Sequence, residues 1–205
     1  MIPALVALPT TVFDQGDLDD LVACVRLLGE GRTVLVGPQR RADGAILDEF
    51  VIAAAIAARD VSAVVGVSAR VCSGRAASVV AREATAAQLL GACDVLLLEG
   101  TPARCADAAV VIAALLTPGH HTVEAGEEHV VNAPNLPQPS TPGAPMVLWA
   151  DGAAVHAGAG EDPLALGVRT ALRAPGPLPA AVPGTLVTLD APLLTPRALA
   201  ALLSP

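Results

Sequence analysis

Six short apolar runs alternate with segments of helical periodicity, and this alternation constrains the fold more than any other feature of the chain. The runs are Ile2–Leu8, Thr33–Val36, Val61–Val67, Val95–Leu98, Met146–Trp149 and Thr185–Leu189. Such short, continuously apolar stretches predict strands covered on both faces. Between and after them, helices are predicted from Asp17 to Leu28, over Asp48–Ala58 and Ser78–Leu90, and from Thr101–Pro102 to Leu116. Two more are expected over Pro163–Leu172 and from Thr195–Pro196 to Leu203. In the first, Leu18, Leu21, Val22, Val25 and Leu28 make one apolar stripe behind Asp17 as cap, and Gly29 and Gly31 stop it. Parallel strands need crossover connections, so strict alternation predicts an α/β fold with right-handed crossovers. A doubly wound sheet or part of an eight-fold barrel satisfies the pattern. A complete barrel needs about 250 residues, more than the 205 present. No repeat or linker divides the chain, so residues 1–205 are expected to form a single domain.

Composition supports buried strands under small-residue helices: 53% of residues are hydrophobic, mostly Ala, Val and Leu, and only 1% are aromatic. All twelve basic residues are Arg, and the net charge of −8 argues against a nucleic-acid or anionic-membrane surface. Cys24, Cys72, Cys93 and Cys105 form no CxxC pair and have no His at zinc-finger spacing, the usage expected of a reduced cytoplasmic protein. Neither a signal peptide nor a membrane-length apolar run is recognised.

The segment from Cys105 to Gly152 has a less common order. A buried helix (CADAAVVIAALLTPG) is followed by a polar hairpin and a proline-rich link over 120–145, then by the strand MVLWADG. Pro175–Pro183, with four prolines in nine residues, is expected to be irregular.

This order, with LDDLVACVRLLGEGRTVLVG (Leu18–Gly37), LDEFVIAAAIAARDVSAVVGV (Leu47–Val67), VVAREATAAQLLGACDVLLLEG (Val79–Gly100) and TVEAGEEHVVNAPNLPQPSTPGAPMVLWADG (Thr122–Gly152), resembles the bacterial luciferase-like oxidoreductases. The likeness covers about residues 17–152. It implies a truncated or incomplete luciferase-like (β/α) TIM-type barrel with about six β/α units, and FMN or the deazaflavin F420 as cofactor. It also implies that Gly66, Val67 and Ser68, at the end of the third strand, back the flavin ring. Arg70 and Arg75 flank that loop with guanidinium forks suited to a phosphate. The chain departs from the family at Pro38–Gln39–Arg40, at Glu99–Gly100, where a long loop is usual, and at Asp151–Ala154.

His156, in the Gly/Ala-rich stretch after the fifth strand, is the candidate general base. His120, His121 and His129 accompany Glu124, Glu127 and Glu128 without HxH or HExxH spacing, so no metal site is expected. GxSxG, Walker and GxGxxG motifs are missing. Two functions follow as expectations. One is a luciferase-like oxidoreductase or monooxygenase carrying FMN or F420. The other is a catalytically inactive ligand-binding or partner subunit. A homodimer is expected in both, with a small-molecule ligand and no nucleic-acid or membrane partner.

Overall fold

The computed structural model describes residues 3–13, 17–59, 64–71, 75–117, 122, 124–126, 145–151, 154–158, 167–173, 178, 180–190 and 194–203. In chain order the elements are β1 (Leu5–Leu8), β2 (Val12–Phe13), α1 (Leu18–Leu28), β3 (Thr33–Val36), β4 (Gln39–Arg41), β5 (Ile46–Leu47), α2 (Glu49–Ala57), β6 (Val64–Arg70), α3 (Ala77–Leu89), β7 (Val95–Glu99), α4 (Pro102–Leu116), β8 (Met146–Asp151), β9 (Ala154–Ala157), β10 (Gly167–Arg173), β11 (Thr185–Asp190) and α5 (Pro196–Leu203).

Eight strands form one sheet in the order β10-β11-β1-β3-β6-β7-β8-β9, and β2, β4 and β5 form a separate three-stranded sheet. All neighbours in the large sheet run parallel except the β8–β9 hairpin. From β1 through β8 each crossover sets the next strand directly beside the last. The winding therefore never reverses, and the sheet is not doubly wound. Side chains alternate between its faces. Val6, Val34, Val67, Leu96 and Val187 belong to the larger core, which they share with Leu21, Ile56, Val80, Ile112 and Leu199 of the five helices. Leu5, Leu35, Leu97, Leu148, Val155 and Leu186, from the opposite pleats, form a second cluster that holds no helical residue. A sheet that packs one of its faces against itself must curl, and its two outermost strands, β9 and β10, do approach each other. Among the described residues no backbone pairing joins them.

This corrects the expectation of a truncated luciferase-like TIM-type barrel with about six β/α units. The structure is a curled, mostly parallel sheet with five helices: α1, α2, α3, α4 and α5 follow β1, β3, β6, β7 and β11, and no described helix follows β8 or β10. The helix expected over Pro163–Leu172 is the clearest error, because Gly167–Arg173 is strand β10, parallel to β11. Val168, Thr170 and Leu172 recur with period two and include two β-branched residues, a strand signal that outweighs the weak helical one. The β8–β9 hairpin was also unforeseen, and His156 pairs with Trp149 within it. The 120–145 insertion lies almost entirely outside the described residues.

The helices that frame the site begin differently. Asp48 caps α2 by accepting from the N–H groups of Phe50 (2.9 Å) and Val51 (3.1 Å). Asp17 and Thr101, at the starts of α1 and α4, make no side-chain capping bond. No described helix is long and apolar enough to cross a membrane.

Candidate functional site

Ligands of parallel α/β sheets sit outside the carboxyl ends of the strands, and among the described residues a cavity opens there. Arg70 and Glu99, the last residues of β6 and β7, are register partners. The Val71 N–H donates to the Glu99 carbonyl at 2.8 Å, carrying the pairing one residue further. Gly100 and Thr101 then lead straight into α4, whose Arg104 and Asp107, three apart, stand on the same side of the helix. These residues line an open cleft of about 820 Å³, within the size range of small-molecule sites.

Gly100 is small for a reason visible in the packing. A Cβ there would lie 2.9 Å from the Val71 carbonyl oxygen and 3.1 Å from Cys105 Sγ. The α4 N-terminus beside it begins with Pro102, which has no N–H to leave unpaired, and Thr101 supplies no side-chain cap. The first turn therefore sets the positive end of the α4 dipole beside the cleft. Arg70 is exposed at the rim and Glu99 is half-buried. The cleft thus carries two guanidinium groups (Arg70 and Arg104) and two carboxylates (Glu99 and Asp107), a mixed lining that suits a ligand with both acidic and hydrogen-bond-donating groups.

The residues singled out from sequence do not converge on one point. Gly66, Ser68 and Arg70 share the concave face of β6, and Val67 points the other way into the helix-covered core. At Gly66 a Cβ would come within 2.8 Å of both Leu35 Cδ2 and the Val95 carbonyl oxygen. The space over Gly66 is therefore filled by the protein, and a flavin ring does not fit at Gly66 and Val67. Ser68 lies one pleat below Arg70, 6% exposed, and its Oγ has no hydrogen-bond partner.

Arg75 stands apart from this row, in a cluster of carboxylates. Its Nη1 donates to Glu49 Oε1, its Nη2 to Asp48 Oδ2 at 3.1 Å, and its Nε to Glu83 Oε2 at 3.2 Å. Its guanidinium also lies 5.2 Å from the centre of the Phe50 ring. Burial pushes the Glu49 carboxyl above its ordinary value, although Arg75 opposes the shift. The Arg75 guanidinium is held charged by Glu83 and Glu49 against the opposing effect of its own burial. A phosphate at Arg75 would have to displace three carboxylates.

His156 stacks on Trp149 with ring centroids 3.9 Å apart and planes 8° from parallel. The pair projects from the face opposite Leu148, Ala150 and Val155, so His156 is not a cleft residue. Among the described residues no group of three or more His, Cys, Asp or Glu side chains is arranged to hold a metal ion. His120, His121, His129, Glu127, Glu128 and Cys72 lie outside the described residues.

Val71, Gly100, Thr101, Arg104 and Asp107 were not anticipated as site residues. One signal for them was present: Thr101–Pro102 opens a helix immediately after a buried strand, and Arg104 and Asp107 follow at helical spacing. Comparison of the sequence with protein-family models gives no match, and comparison with curated proteins gives none either.

Proposed function

We propose that this protein binds a small acidic molecule in the cleft at the carboxyl ends of β6 and β7. The observation that carries the reading is the direct junction of β7 with α4. It sets a helix N-terminus, Arg70 and Arg104 around one cavity, and donors so arranged favour phosphate or carboxylate groups. The luciferase-like resemblance makes FMN and F420 the first ligands to test, and in that form the protein is a flavin- or deazaflavin-dependent oxidoreductase. Any redox chemistry belongs to the cofactor; this chain supplies charge and placement.

One observation favours a second reading, a non-catalytic ligand-binding protein. The candidate base His156 is stacked on Trp149 away from the cleft, so binding without turnover is consistent with the geometry. Titration of the purified protein with FMN and F420, followed by a turnover assay, separates the two. Saturable binding with turnover supports the oxidoreductase, binding without turnover supports the second reading, and failure to bind either removes both cofactors.

A homodimer and a cytoplasmic location belong to the same proposal. In its favour, Val64, Leu89 and Leu90 are exposed apolar side chains, and Cys24, Cys93 and Cys105 are free thiols. A concentration-independent monomer in sedimentation would exclude the dimer.

A further inference from the structure

Arg70 and Glu99 are register partners at the ends of β6 and β7, so their side chains leave neighbouring strands on the same face. Opposite charges so placed can attract one another. Among the described residues, however, no ion pair or side-chain hydrogen bond joins them. Asp107 of α4 is likewise without a described ion-pair partner. It is half-buried, and the chain at Gly126 lies so close that a side chain there would collide with its carboxylate. All three residues line the cleft.

A half-buried carboxylate has given up part of its hydration and gains when a cation makes good the loss. Two such carboxylates also repel a ligand that is only anionic, which a small acid alone leaves uncompensated. A divalent metal ion is a poor occupant, because among the described residues no third His, Cys, Asp or Glu joins Glu99 and Asp107. An ammonium, with three donors of its own, needs no such cage.

We propose that the ligand of the cleft is a zwitterion, its acidic group meeting Arg70 and its ammonium meeting Glu99 and Asp107. This rests on the small-acid reading and narrows it to acids that carry a separate amine. Arg70 serves the acid as a planar fork, and the two carboxylates set the specificity. The rival is that Glu99 and Asp107 are solvated rim charges, indifferent to an amine on the ligand.

NMR titration of the full chain, followed at the Val71 and Gly100 amides, compares phosphoethanolamine with propyl phosphate. The probes share a phosphate and differ in an ammonium against a methyl group. At about pH 8 both phosphates are ionised, and EDTA keeps divalent ions from bridging phosphate to carboxylate. Phosphoethanolamine should bind more tightly by about tenfold or more. Glu99→Gln and Asp107→Asn should each shrink that preference while propyl phosphate binds no worse, and Arg70→Ala should weaken both probes. Glu30 is an exposed acid that does not line the cleft, so Glu30→Gln removes one negative charge elsewhere and should leave the preference whole. If Glu99→Gln does not fold, Asp107→Asn carries the variant test. Equal or tighter binding of propyl phosphate, or a preference undiminished in the carboxylate variants, overturns the zwitterion and leaves the small-acid reading standing. Binding of neither probe also overturns it, and titration with FMN and F420 then decides the small-acid reading separately.

Discussion

Gly66 and Arg75 were both plausible ligand residues from sequence, and their surroundings give each a different part. Gly66 lies where Leu35 and the Val95 carbonyl leave no room for a side chain. Gly66→Ala should therefore destabilise the fold by roughly 1–3 kcal/mol through overpacking, read as a lower urea midpoint with an unchanged m-value; an unshifted midpoint would show that the interior yields. At the Arg75 cluster the expected effect is on pH dependence. Burial raises the Glu49 carboxyl above its ordinary value, so the folded state holds this proton more tightly than the unfolded chain does. The stability contributed by Glu49 is then complete below the ordinary carboxylate range and is lost as pH rises through its raised value. Glu49→Gln should remove that loss, so its urea midpoint should gain on wild type as pH increases from about 4 to 7. Parallel pH profiles would contradict this. Sequence marked both residues as special because one is the smallest side chain and the other a guanidinium. It did not reveal their neighbours, since Leu35 is 31 positions and Glu49 26 positions from its contact.

The elements were largely legible wherever periodicity was long and unmixed. The α1 stripe holds, with Leu21, Val22, Val25 and Leu28 buried, and the strands β3 and β7 follow their apolar runs, whereas β6 continues three residues past the expected end at Val67, to Arg70. Short or alternating segments were harder to see. The three-stranded sheet contains strands of two or three residues, too short for any period to emerge, and the β10 segment carries a weak helical pattern beside its period-two one. Capping separates α2 from α4. Asp48 satisfies two first-turn N–H groups and also binds Arg75, so Asp48→Ala should cost about 1–2 kcal/mol. Thr101 makes no such bond, and Thr101→Ala should stay within about 0.5 kcal/mol. Thermal or chemical denaturation of both variants checks the contrast, and equal losses would contradict it. Between α1 and α5 the Cys24 thiol donates to the Pro196 carbonyl at 3.1 Å. Its burial, with Asp20 nearby, pushes its pKa up to about 12. Thiol reagents at mildly alkaline pH should therefore label Cys24 only after unfolding; fast labelling of the native protein would show that this helix pair opens.

At the scale of the molecule, the feature hardest to read in advance was the curl of the sheet. Alternation of strands and helices announces parallel pairing, but not how far the sheet bends or where it stops. Those depend on the inner cluster of Leu5, Leu35, Leu97, Leu148 and Leu186, assembled from strands far apart in sequence. The same curvature leaves the concave face filled, and the cavity lies at the carboxyl ends of β6 and β7. Ser68, which the resemblance placed at the end of the third strand, and Arg70, expected to flank the loop after it, share a face of β6, and α4 brings Arg104 and Asp107 to the cleft that Arg70 lines, across a junction that sequence marked only by Thr101–Pro102. The central claim is that this cleft binds a small acidic molecule. Its most direct test is titration of wild type and Arg70→Ala with FMN and F420, followed by absorbance and fluorescence. The account predicts saturable binding of one of them to wild type, weakened about tenfold or more in Arg70→Ala through loss of a charge-assisted hydrogen bond. A folded wild-type protein that binds neither would remove both cofactors, and binding that Arg70→Ala leaves unchanged would contradict the cleft as the acidic-ligand site.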